Sequence, residues 1–189
     1  MSTHRVGIMG LGIGKRWAEA VARHKASALV ALYDPLRERA AAAAEEFHAR
    51  AARSEDNFFG TEMDVVIIAT PDHLHLPHTL RALAAGCHVV CEKPMAPTVR
   101  ECRKIVAAVK RHRRRFMVGQ VCRFTPAFQL AKEILEGGEI GELAFIESEY
   151  YHDYTHVAGV GNWRKSARIR REGFVGGGCH ALDLIRWLA

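Results

Sequence analysis

The stretch GLGIGKR, Gly10 to Arg16, follows an apolar run and leads into a helical pattern. At such a strand–turn–helix junction the first backbone N–H groups of the helix grip phosphate oxygens, and glycine lets a pyrophosphate come close. The usual spacing is G-x-G-x-x-G. Gly10 and Gly12 keep it, but the third glycine is Gly14, one place early, and Lys15 stands where it is expected. Gly10, Gly12, Ile13 and Gly14 are the candidate pyrophosphate contacts. Asp34 closes the next apolar run. An acidic side chain there accepts hydrogen bonds from both ribose hydroxyls and repels a 2′-phosphate, which favours NAD over NADP. Arg37 keeps NADP in view, because arginine pairs with that phosphate. The plainer alternatives are a tight turn without a nucleotide and a turn aspartate before Pro35.

Three further stretches carry reactive groups. CEKPMA (91–96) sets Glu92 and Lys93 at the end of an apolar run, where burial of a charge is costly unless it is paired or used. Lysine before proline fixes the local chain in an extended or cis form. A cleft-facing Lys93 would contact a substrate hydroxyl, as a base with its pKa lowered from about 10.4 or as a cation beside a forming alkoxide. ATPDHLHLPH (69–78) leaves another apolar run; Thr70 and Pro71 are expected to wall the cofactor cleft. His73, His75 and His78 suggest a metal, but only Asp72 adds a ligand nearby, so no metal is assigned. The last stretch, GGGCHALDLIRWLA, puts His180 directly after a glycine run and at a helix start, where it either reacts, caps or packs.

Those groups need a frame. Apolar runs at 5–9, 28–34, 64–70, 87–92 and 115–122 read as strands, and helical patterns at 15–24, 35–47, 76–86 and 97–112 lie between them. Pro35 is expected in the first turn of its helix. Alternating strands and helices imply a parallel sheet with right-handed crossovers. Beyond residue 122 the pattern changes to a helix at 126–138, a more alternating strand at 143–152, a basic glycine-rich loop and a closing helix. The expected fold class is α/β: a Rossmann-type doubly wound parallel sheet over residues 1–122, then the start of an α+β substrate domain over 123–189.

The 189 residues are 49% apolar and 25% charged, as in ordinary globular proteins. No apolar run approaches the roughly 20 residues that span a bilayer. The first residues hold no apolar signal core, and five cysteines lack a disulfide spacing, so a cytoplasmic protein with reduced thiols is expected. The net charge of +6 comes largely from KRHRRR (110–115) and RKSARIRR (164–171). A nucleic-acid surface would need both on one face with stacking aromatics. They read instead as a solvated helix end and as a basic loop suited to anionic substrate or cofactor phosphates.

GLGIG, ATPDHLH, AGCHVVCEKPMA and GGGCHALDLIRWL together resemble the glucose–fructose oxidoreductase / inositol dehydrogenase (Gfo/Idh/MocA) family, in order from Val6 to the last residue. The resemblance implies an NAD(P)-dependent oxidoreductase of sugars, polyols or related hydroxy compounds, forming a homo-oligomer when its second domain is complete. It implies that Lys93 is the active-site lysine with Glu92 its cofactor-side neighbour, and that Thr70, Pro71 and His75 line the cofactor cleft. Arg123 matches the arginine after the fifth strand, and Trp163 and Arg164 a pair near cofactor and substrate. His180 matches the proton acceptor, and Asp183 the aspartate three places on, close enough to orient it.

Two departures stand out. The dehydrogenase pattern D-x-G-x-H has an aspartate where this chain has Gly176, which throws more of the proton handling onto Lys93 or Asp183. Family members also run well past this chain's length, so either the chain is a fragment or its second sheet is completed by another chain. The alternatives are a nucleotide-binding protein without turnover, and a relative that uses transient oxidation for elimination or glycoside cleavage.

Overall fold

The computed structural model describes residues 3–153, 155, 160–166 and 172–189. Two compact units follow one another, Met1–Val118 and Gly119–Ala189.

The first unit is a six-stranded parallel sheet in the order β3-β2-β1-β4-β5-β6. Its strands are β1 (His4–Met9), β2 (Ser27–Tyr33), β3 (Arg50–Ala51), β4 (Val65–Ile68), β5 (His88–Cys91) and β6 (Phe116–Val118). The helices are α1 (Gly14–Arg23), α2 (Arg37–Glu46), α3 (Glu55–Phe59), α4 (His75–Ala84) and α5 (Val99–His112). The strand order reverses between β1 and β4, the arrangement of a Rossmann sheet.

Alternation along each strand supplies two cores. Ile8, Leu32 and Ile67 pack with Leu11, Ala18, Val21, Ala40 and Ala43. Met9, Val66, Ile68, Val89 and Cys91 pack on the other face with Phe58, Ala82, Leu83 and Ala108. Ile8, Leu32, Ile68 and Phe58 are fully buried, each contributing about 1.5–3 kcal/mol relative to exposure.

The structure corrects the expected elements in several places. β3 and α3 were not expected; a two-residue strand has no period, and α3 is announced only by Ser54, whose hydroxyl accepts from Asn57 N–H. Pro35 lies outside its helix, because extended Leu36 is the cap and Asp34 Oδ1 accepts the Leu36 N–H at 2.9 Å. The strand expected over 115–122 stops at Val118, and Val121–Phe124 is a 3-10 turn. No strand forms over 143–152: the alternation is present, but Phe145 and Tyr151 are exposed and no neighbouring strand pairs with the segment among the described residues. An unpaired strand is not stable in water.

In the second unit, α6 (Pro126–Glu136) starts with proline at its first turn and buries none of its residues. A π-helical turn (Phe174–Gly178) runs into α7 (Cys179–Leu188). A further 3-10 turn spans Val160–Lys165. Among the described residues no helix is long and apolar enough to cross a membrane.

Candidate functional site

In a parallel α/β sheet the loops leaving the carboxyl ends of the strands form the ligand crevice, and nearest the switch point they are those after β1 and β4. The β1 loop is the glycine turn. Gly10 has φ +87°, and a Cβ there would stand 2.6 Å from the Ala69 carbonyl, so no other residue fits. Gly14 is the first residue of α1, and a Cβ on it would meet Ala69 Cβ and Ile8 Cγ2 at 3.2 Å. Gly14 thus gives the close helix–strand packing that the fingerprint's third glycine provides; the turn is one residue shorter. Lys15 takes no part in it, reaching Glu46 at 2.9 Å. Gly12 and Ile13 are exposed on the turn, and Ile13 caps α1 without a side-chain hydrogen bond.

Asp34 ends β2 nearly buried, at 5% exposure. Its Oδ2 accepts from Leu11 N–H at 2.8 Å and its Oδ1 from Leu36 N–H, so it ties the glycine turn to the β2 end. A carboxylate has about four acceptor positions, so capacity remains for ribose hydroxyls. The arginine beside it is Arg39, with Nη1 3.6 Å from Oδ2, and not Arg37 as the sequence suggested.

The loops after β4 and β5 are strapped together. His75 Nδ1 lies 2.7 Å from the Pro94 carbonyl and Nε2 2.9 Å from the Thr70 carbonyl. The ring is fully buried. His75 thus ties the Thr70 loop to the Pro94 loop through a buried ring. Thr70 Oγ1 pairs with His78 Nδ1 at 3.0 Å, and His78 Nε2 faces Glu55 at 3.3 Å. With Nε2–H donating to that carboxylate, Nδ1 accepts from the Thr70 hydroxyl. Burial lowers the His78 pKa and Glu55 opposes it; burial likewise lowers that of His73, against Asp72. His75 and His78 thus direct their nitrogens to separate partners. Among the described residues no three His, Cys, Asp or Glu side chains are grouped to hold a metal.

Lys93 is half-buried and joined to Pro94 by a cis peptide bond, in the loop that follows β5. Pro71 is half-buried in the β4 loop. Glu92 Oε1 accepts from Trp17 Nε1–H at 2.8 Å and Oε2 from Lys93 N–H at 3.2 Å. Trp17, on α1, is a site residue that the sequence did not reveal. A wide cavity of about 920 Å³ also opens beside His4, His88, Arg115 and Met117. Those residues mark the amino ends of the strands, the wrong end of the sheet for a cofactor crevice, so it is not taken as the site.

The second unit has a cluster of its own. His180, the second residue of α7, is 5% exposed. Its Nδ1 lies 3.5 Å from Cys122 Sγ, and the Tyr150 ring centroid stands 5.3 Å away. The expected orienting contact from Asp183 is not made. Both Asp183 oxygens accept from Arg123, at 2.7 and 2.6 Å, because an arginine fork matches a carboxylate edge. The Arg123 guanidinium also stands 5.9 Å from the Trp187 ring centroid, and Arg164 lies 5.2 Å from that of Trp163. Of the basic run 164–171, residues 167–171 lie outside the described residues. The other run ends α5, with Lys110, Arg111 and His112 in its last turn and Arg113 closing it at φ 52°.

Residues 4–120 match the oxidoreductase family with an NAD-binding Rossmann fold, and residues 128–189 match the GFO/IDH/MocA C-terminal domain. An uncharacterized oxidoreductase of Streptococcus pneumoniae is 32% identical over 97% of this chain and 50% of its own length. An inositol 2-dehydrogenase of Corynebacterium glutamicum is 30% identical over 98% of this chain and 54% of its own. The crystal structure of scyllo-inositol dehydrogenase from Lactobacillus casei with NAD(H) and scyllo-inositol has a TM-score of 0.87 at 26% identity, covering 100% of this chain and 56% of that one. The chain spans about half the length of the curated relatives it matches. It belongs to the Gfo/Idh/MocA oxidoreductase family, whose first domain is an NAD-binding Rossmann fold.

Proposed function

We propose that the chain works in an NAD-dependent dehydrogenase that moves hydride between the nicotinamide and a sugar, a polyol or a related hydroxy compound, with residues 1–122 holding the cofactor and 123–189 opening the substrate domain. The observation that carries this reading is the joining of the glycine turn, Asp34 and the Lys93 loop at one end of a Rossmann sheet. The residues fit the cofactor: close packing at Gly10 and Gly14 brings the start of α1 to the sheet edge, and Asp34 keeps unused acceptor positions. NAD supplies the hydride acceptor. The N–H groups of Gly12, Ile13 and Gly14 bind pyrophosphate, and Asp34 accepts from the ribose. Thr70 and Pro71 form the wall, and Glu92 fixes the loop that presents Lys93. Lys93 Nζ and the His180 ring hold and move the hydroxyl proton, while Arg123, Trp163 and Arg164 supply the remaining cofactor contacts. Arg39 beside Asp34 makes NADP a second cofactor. Asp183 acts on Arg123 rather than on His180.

The reading also places the protein in the cytoplasm, as its five free cysteines suit, and as a homo-oligomer where the second domain is complete. Gly176, where the dehydrogenase pattern has an aspartate, supports a second reading, a nucleotide-binding protein without turnover. A relative named 2,7-anhydro-N-acetylneuraminate hydratase, 28% identical, supports a third, elimination through transient oxidation. One experiment separates them. NAD binding is measured by calorimetry, and nicotinamide reduction and products are followed over a panel of sugars and polyols. The expected result is NAD binding with turnover, and in Lys93→Met a rate lower by at least about a hundredfold with binding kept. Unchanged turnover in that variant overturns the dehydrogenase assignment. Binding without any reduction supports the second reading, and an eliminated product the third.

A further inference from the structure

Gly176 leaves no carboxylate at the position from which the dehydrogenase pattern would polarise His180. The structure places another group against the ring: Cys122 Sγ, from the 3-10 turn before α6, at 3.5 Å from His180 Nδ1. We infer that Cys122 is a positioning residue that fixes the tautomer of His180, donating its S–H to Nδ1 and so holding the ring proton on Nε2. This rests on the reading of His180 as a proton-handling group.

The direction of the bond follows from the two groups. Thiol sulfur is a weak acceptor, whereas the unprotonated imidazole nitrogen is a good one. The pair therefore forms with sulfur as donor. Burial of His180 limits competition from water, and the Tyr150 ring, tilted 37° against the imidazole, resists a ring flip that would exchange the two nitrogens. An aspartate partner would do the opposite. It would accept from Nδ1–H and leave a lone pair on Nε2, the form that takes a proton from a hydroxyl. With the thiol, Nε2 carries the proton and donates a hydrogen bond to an oxygen on which negative charge develops; a proton passed from Nε2 is replaced at Nδ1 from the Cys122 thiol, which is left as thiolate. The exchange of carboxylate for thiol thus changes the resting role of His180 from hydrogen-bond acceptor to hydrogen-bond donor.

The test is nitrogen-15 NMR of the histidine rings in the full chain, with the His180 signals assigned by their loss in His180→Gln. The wild type is expected to show Nδ1 unprotonated and Nε2 protonated. Cys122→Ser, which keeps a donor, should retain that pattern, and Cys122→Ala should move the Nδ1 resonance toward that of an unbonded nitrogen. A protonated Nδ1 in the wild type, or an Nδ1 resonance unchanged in Cys122→Ala, overturns the proposal. Where turnover is measurable, Cys122→Ala should lower kcat by about tenfold with KM within twofold, and an unchanged kcat counts against the role. A chain that shows no turnover but the expected ring pattern defeats the dehydrogenase reading and leaves the tautomer assignment standing.

Discussion

At the scale of single residues, Gly10 decides whether the crevice exists. Gly10→Ala puts a Cβ against the Ala69 carbonyl at a positive φ, so the glycine turn and the β4 loop must part. The expected outcome is loss of NAD binding in calorimetry, with the far-ultraviolet circular dichroism of the sheet largely kept. Trp17→Phe removes the donor to Glu92 and leaves one carboxylate oxygen short of a partner. A lost hydrogen bond to a charged group costs about 1.5–3 kcal/mol, so the urea midpoint should fall. A variant as stable as the parent would show that water replaces the indole. The glycines and the Lys93 stretch were legible because their chemistry is written in adjacent letters. Trp17 was not, since its partner lies 75 positions away and no period links them. Arg39 was missed for a subtler reason: α2 starts at Arg37, two residues later than the expected start at Pro35, and the arginine beside Asp34 is then Arg39.

At the scale of elements, α3 and α4 meet through His78, Glu55 and Arg81. Arg81 binds Glu55 at 2.7 Å, pairs with Asp56 and covers the Phe59 ring at 4.5 Å. Burial keeps the folded-state pKa of His78 below the free-histidine value. Just below about 6.5 the unfolded chain then binds a proton that the folded chain does not, so stability rises with pH through that window and falls as pH drops. Urea midpoints should therefore decline from pH 7 toward pH 5, and His78→Gln should flatten part of the decline. An unchanged slope would assign it to other groups. Thr98 closes a capping box with Glu101 at the start of α5, so Thr98→Ala should cost about 1 kcal/mol in the same assay. These contacts also explain what pattern reading reached. The four long helices of the sheet unit and its apolar strands repeat at their own periods. Residues 143–152 repeat at a strand period as well, yet form no strand, because a period reports which face is apolar and not whether a neighbour exists to pair with it.

At the scale of the whole molecule, the two units differ in how much they bury. The first encloses two cores, one on each face of the sheet. In residues 119–189, among the described side chains, only Leu184 and His180 are buried, and Phe124, Leu130, Ile140, Phe145, Tyr151 and Phe174 are exposed. Local opening is cheap where few apolar contacts must break, so protection against hydrogen exchange should divide at the same point as the chain. Amides of β1, β4 and β5 should exchange only through unfolding of the sheet unit, whereas those of α6, which buries no residue, should exchange much faster. Added NAD should slow the first group further, because a ligand that binds only the folded state stabilises it by mass action. Under the proposed binding mode it should change the turn after β1 most. Equal protection of α6 and β4 in the absence of ligand would mean that the apolar side chains of the second unit are covered in solution, and the concentration dependence of that protection would then show whether a second copy of the chain covers them.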